Sequence, residues 1–112
     1  MSQICPVTEA DYESRVLHSS KPVVVKFGSK TCGPCLLLGA ALKDIAPEYS
    51  DDEVQFFDVD VEEAPAIAKQ YGIMAIPVLL FIQNGEVKQR FMGNQSRNRL
   101  STLVEAHIGG QH

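Results

Sequence analysis

Val23-Val24-Val25-Lys26-Phe27-Gly28-Ser29-Lys30-Thr31-Cys32-Gly33-Pro34-Cys35 is the stretch on which the reading of this 112-residue chain turns. Its first five residues are a β-branched run of the kind that fills a central buried strand. Gly28 to Pro34 reads as a turn. Beyond it, from Leu36 to Tyr49, the residues Leu38, Leu42, Ile45 and Tyr49 recur at helical spacing as a core-facing stripe. Pro47 falls in the last turn and is expected to distort or end that helix. This order puts Cys32 at or just before a helix N-terminus, where free backbone N–H groups and the macrodipole favour a thiolate. In a Cys-x-x-Cys at such a position the thiol pKa falls from about 8.5 toward neutrality. Cys35 lies one helical turn on, placed to attack a mixed disulfide formed at Cys32. Gly33 permits a tight turn, and Pro34 fits the first helical turn, where a missing N–H costs nothing.

A Cys-x-x-Cys alone also serves as half of a zinc site or as two buried structural thiols. Zinc needs two further ligands, and only the scattered Cys5, His18, His107 and His112 are on offer, so no metal is expected. Buried thiols suit an exposed strand-to-helix turn poorly. Gly-Pro at the two inner positions arises by chance in about 0.4% of such motifs. Redox chemistry is therefore the favoured reading.

Upstream, Ile4 to Val7 reads as a short edge strand, since Pro6 lacks a donor. Thr8 and Asp11 resemble a capping box and start a helix through about His18. Downstream, Val54 to Asp60 is the next strand, and Ala64 to Tyr71 a short helix with Pro65 in its first turn and Gly72 closing it. Pro77 to Gln83 and Glu86 to Met92 flank Asn84-Gly85, a strong hairpin signal. Gly93 precedes a final helix with Ser96 as N-cap and Gly109 as C-cap, its apolar face formed by Leu100, Leu103, Val104, His107 and Ile108. Asn94-Gln95-Ser96 matches a glycosylation pattern but reads as the turn into that cap. Early crossovers and a late hairpin predict one α/β domain over residues 1–112. It has a central mixed sheet of about five strands flanked by four helices on both faces.

Composition narrows the function. Ten Lys+Arg against fourteen Asp+Glu leave a net charge of −4, which argues against nucleic acid as a partner. No apolar run approaches the roughly 18 residues of a membrane span. Three cysteines are too few for a disulfide scaffold. With no signal-peptide pattern at the N-terminus, a cytoplasmic location is expected. Gly28 to Gly33 has the glycine spacing of a phosphate loop, but no Lys-Ser/Thr follows. No flavin or nicotinamide motif is present, so no cofactor is expected and electrons must come from a separate protein.

Several further residues align with one family pattern: Val59-Asp60 at a strand end, Tyr71-Gly72-Ile73 after a short helix, Ile76-Pro77, Asn84-Gly85 and Gly93. With Cys32-Gly33-Pro34-Cys35, they make the chain resemble a thioredoxin over nearly its whole length. The resemblance implies the thioredoxin fold and reduction of protein disulfides by Cys32 and Cys35. It implies substrate contacts at Thr31, Gly33, Pro34, the Ile76 backbone, a cis-Pro77 and Gly93. It also implies a thioredoxin reductase-type electron donor, and a monomer is expected.

The departures lie around the motif. Lys26 stands where the family carries a buried aspartate, and Phe56 where a lysine usually accompanies it. Thr31 and Gly28 occupy positions often held by tryptophan, which this chain lacks. Gly39-Ala40 replaces a helix-kinking proline; Gly39 supplies flexibility or close helix packing. As an ammonium, Lys26 would stabilise a nearby thiolate and make the disulfide more oxidising, and if desolvated it would be neutral and act as a base; alternatively it snorkels to water and touches nothing. These changes keep two rivals open, a protein-binding module with little turnover and an oxidase or isomerase variant. Cys5 is expected as a buried small hydrophobe rather than a regulatory thiol. Lys30 is expected as a solvated surface lysine. His18 and His107 are expected to favour helix dipoles, and Met74 to offer soft apolar surface or ordinary packing.

Overall fold

The computed structural model describes residues 1–110. Its five strands, β1 (Ile4–Pro6), β2 (Val23–Gly28), β3 (Gln55–Asp60), β4 (Val78–Gln83) and β5 (Glu86–Met92), form one sheet in the order β1-β3-β2-β4-β5. β1, β3 and β2 run parallel, whereas β4 is antiparallel to β2 and β5 to β4, so the sheet is mixed as predicted. β2 is central and all six of its residues are buried, the signature of a strand covered on both faces.

Period-two alternation along β2 sorts its side chains between two cores. Val23, Val25 and Phe27 pack with Tyr12, Val16 and Ile67 on one face. Val24 packs on the other with Phe56, Phe81 and the stripe Leu38, Leu42, Ile45 of α1 (Gly33–Ile45). Leu100 and Val104 of α3 (Arg97–Gly109) join this second core. α2 (Pro65–Gln70) contributes Ile67 to the first. Lys26 shares the α1 side of β2 with Val24.

Local signals placed most elements within a residue or two. Pro47 ends α1 as expected: the chain tightens into a 3-10 turn over Ala46–Glu48. Asn84 and Gly85 both adopt positive φ, 52° and 78°, which a two-residue hairpin of this hand requires. Ser96 caps α3, its hydroxyl accepting from the Arg99 N–H at 3.1 Å.

Four expectations are corrected. The helix expected from Leu36 to Tyr49 is α1 over Gly33–Ile45, because Pro34 enters its first turn and Pro47 stops it early. The first helix is a π-helical segment over Glu13–Leu17, closed by the His18 N–H reaching back to the Glu13 carbonyl at 3.0 Å. Only half the capping box forms, with the Thr8 N–H donating to Asp11 Oδ1 at 2.7 Å. Gly109 is the last residue of α3, and Gly110, at φ −70°, takes the cap position because its N–H still reaches the Ala106 carbonyl at 2.9 Å.

Candidate active site

β2 delivers the chain to the C-terminal end of the sheet at Gly28, and α1 begins five residues later at Gly33. Cys32 is the N-cap of α1, with extended backbone (φ −95°, ψ 109°), and its Sγ accepts the Cys35 N–H at 3.2 Å. That N–H is one of the orphan donors of the first helical turn, so a sulfur lone pair fills the place usually taken by a serine or aspartate oxygen. The same geometry holds a thiolate at Cys32 by a charge-assisted hydrogen bond and the positive end of the helix. The two Sγ atoms are bonded, with Cα atoms 5.2 Å apart. Cys32 is half-buried, whereas Cys35 is fully buried. Of the two, Cys32 keeps access to solvent and Cys35 has none.

Pairing across the sheet brings the remaining implied substrate residues to the same end. Phe27 lies opposite Val78, and Val78 opposite Met92, so Pro77 and Gly93 flank the loop that carries Cys32. The Ile76-Pro77 bond is cis. Gly93, at φ +83°, donates its N–H to the Pro77 carbonyl at 2.9 Å and ties the two segments together. Thr31, Gly33 and Pro34 are exposed and Ile76 is half-buried, but Pro77 itself is buried. Four of the exposed large apolar side chains belong to these segments: Leu36, Leu37, Met74 and Met92. Of these, the sequence pattern singled out only Met74.

Lys26 does not reach water as the snorkelling reading has it. Rather than snorkelling free, its ammonium is 9% exposed beneath α1, paired with Asp58 Oδ1 at 3.3 Å and donating to the Cys35 carbonyl at 3.3 Å. Parallel register sets Lys26 directly beside Asp58. Asp58 was missed because it reads as one polar residue in a strand; the signal was its position on the Phe56 side of β3, the side that faces α1. Gly39 explains the accommodation: a Cβ there would lie 2.9 Å from Lys26 Nζ. Its role is close packing, not flexibility. Gly28 serves Cys35 likewise, since a Cβ would stand 2.9 Å from Cys35 Cβ and 3.0 Å from its Sγ. Gly33 has open space and no positive φ, so the turn does not require it.

Other candidates disperse. Cys5 is a free, half-buried thiol on β1, separated from β2 by β3. Lys30 is exposed beside Glu63. His18 pairs with Glu13 at the surface. His107 does not act as a charge at a helix end: it is buried with Nε2 3.1 Å from the Ile82 carbonyl oxygen, and burial pulls its pKa below the usual value. Among the described residues no three metal-binding side chains converge, and His112 lies outside them.

The chain is 35% identical over 108 residues to Thioredoxin 1 of Synechococcus elongatus, covering 96% of this chain and all of that protein. It is 34% identical to a thioredoxin of Chlorobaculum thiosulfatiphilum (91% and 94% covered) and 32% to one of Haemophilus influenzae (96% and 100%). The thioredoxin family model matches residues 3–106, nearly the whole of the chain. The chain belongs to the thioredoxin family of thiol–disulfide oxidoreductases.

Proposed function

We propose that this protein reduces disulfides in protein substrates, with Cys32 as nucleophile and Cys35 as resolving thiol. The Cys32 thiolate attacks one substrate sulfur; a Cys32–substrate bond forms and the other substrate sulfur leaves as a thiolate. Cys35 then attacks Cys32 Sγ, releasing the second substrate thiolate and leaving the Cys32–Cys35 disulfide. Two electrons have passed to the substrate, and a separate reductase returns them. The observation that carries this reading is the asymmetry of the pair: a half-buried, helix-capping Cys32 bonded to a buried Cys35.

Thr31, Gly33, Pro34, Ile76, Pro77 and Gly93 are read as the substrate contacts. The backbone at half-buried Ile76 is read as aligning an extended segment, while buried Pro77 shapes the loop from below. Leu36, Leu37, Met74 and Met92 supply apolar surface in place of the absent tryptophans. We read residues 1–112 as one domain acting as a monomer in the cytoplasm. Among the described residues no helix is long and apolar enough to cross a membrane.

Reduction of insulin by the dithiol form tests the proposal, with Cys32→Ser as control. Turnover is expected in the wild type and loss of it in the variant. Equal rates would leave only the binding-module reading.

A more oxidising variant is favoured by one observation, the Lys26 ammonium bonded at the Cys35 carbonyl. Its positive charge stabilises a thiolate at Cys35 and hence the reduced pair. Lys26→Gln is expected to make the pair more reducing in a glutathione titration. An unchanged equilibrium sinks this tuning role.

A further inference from the structure

The back of α1 carries a feature that disulfide exchange at its front does not use. A cleft of about 630 Å³ opens between the start of β1 and the inner side of α1, with Ser2, Gln3, Gly39 and Lys43 on its walls. Its floor is the Lys26–Asp58 pair. Lys26, Lys43 and Asp58 are the titratable groups that line it, two cations against one carboxylate. An ammonium carries three donors. Among the described residues the Asp58 carboxylate and the Cys35 carbonyl account for two, each at 3.3 Å, long for bonds to a charged donor.

The surroundings favour an anion over a cation. Asp58 is matched by Lys26, which leaves the Lys43 charge in excess at the rim. Lys43 forms no ion pair among the described residues: the neighbouring carboxylates Asp44 and Glu48 both bind Arg97. Gly39, also on the wall, leaves room at Lys26 Nζ, since a Cβ there would lie 2.9 Å from it. The adjoining 360 Å³ cleft shares Lys26 and Asp58 but adds Asp60, Glu63 and Lys30; Lys30 is taken by Glu63, which leaves Asp60 in excess and repels an anion.

We propose that the cleft behind α1 binds a small oxyanion, a carboxylate or a phosphate, across Lys26 and Lys43, and that its occupancy makes the dithiol more reducing. The anion takes the third Lys26 donor and the Lys43 ammonium. Its negative charge opposes the field of Lys26 at Cys35, which disfavours the Cys35 thiolate and the reduced form with it. The redox half of the proposal rests on the oxidoreductase reading; the binding half does not.

The test adds sodium phosphate or sodium acetate to the full chain, with sodium chloride at matched ionic strength as the reference. Backbone amide shifts of Gln3, Gly39 and Lys43 report binding, and the equilibrium with glutathione reports the pair. Saturable shifts are expected, weakened about tenfold in Lys43→Gln, the loss of one charge-assisted bond. Phosphate saturating before acetate assigns the site to a phosphate group, and the reverse order to a carboxylate. The glutathione equilibrium is expected to move toward the Cys32–Cys35 disulfide by about threefold at saturation, roughly half a pK unit of lost thiolate stabilisation. Shifts that chloride reproduces, or binding that Lys43→Gln leaves intact, overturn the site. Binding with an unmoved equilibrium overturns the coupling. Insulin reduction in chloride alone tests the oxidoreductase function independently of the anion, so the two failures are distinguishable.

Discussion

At Gly33 an added Cβ would meet no atom within 4 Å, whereas at Gly28 it would stand 2.9 Å from Cys35 Cβ and 3.0 Å from Cys35 Sγ. Both glycines border the cysteine loop, and composition cannot tell them apart. Gly33 belongs to the open front of α1, next to the half-buried Cys32. Gly28 belongs to the packed underside, with Cys35, Lys26, Gly39 and Asp58. On the proposed function, the front tolerates change in the fold and punishes it in recognition; the underside does the opposite. That division of labour is what the departures around the motif alter.

The contrast is broken most sharply by Gly28→Val. Its branched side chain has no room beneath Cys35, and overpacking is expected to cost about 3 kcal/mol, read as a lower urea midpoint. A stability near wild type would mean that α1 can lift off β2 at this point.

Asp58→Asn should come next. It removes the carboxylate facing a nearly buried ammonium and is expected to cost about 2 kcal/mol, below the roughly 3–5 of a fully buried pair. The smaller figure reflects the exposure of the Asp58 side chain, 40%. A double-mutant cycle with Lys26→Met checks that the loss belongs to the pair, since the second change should relieve much of it.

A gentler effect separates two buried basic side chains. Lys26 has a carboxylate partner, whereas His107 is set among Phe81 and backbone carbonyls. Burial lowers the His107 pKa; hydrogen bonds to the Ile82 and Val23 backbone oppose the shift, and the Lys88 charge adds to it. The neutral ring is thus favoured in the fold. Its contribution is fully present above the unfolded value near 6.5 and lost as pH falls through the lowered folded value. Urea midpoints at pH 7.5 and 5.5 should show a fall in the wild type that His107→Gln reduces. Equal falls in both proteins would assign the pH dependence elsewhere.

The smallest change is expected at Gly33→Ala, within about 0.5 kcal/mol of wild type. Its effect should appear instead in the KM for insulin, because the new methyl group stands on the exposed front. A large loss of stability here would erase the distinction between the two faces.

Much of this architecture was legible in the sequence. The stripe of α1, the break at Pro47, the Asn84-Gly85 turn and the Ser96 cap each depend on residues a few positions apart. Local chemistry suffices for them. The π-helical form of Glu13–Leu17 escaped detection because its side-chain pattern over one turn is close to that of an α-helix.

Along the cysteine motif, the sequence by itself determined the chemistry: a strand, a turn and a helix start place Cys32 at a dipole and Cys35 one turn away. Only the tertiary structure decided what lies beneath. Lys26 meets Asp58 because β2 and β3 pair in parallel with those two residues in register. It remains under α1 because Gly39 leaves room for its ammonium. Register and helix-to-sheet distance are properties of packed elements, set by the two cores together. No window along the chain contains them.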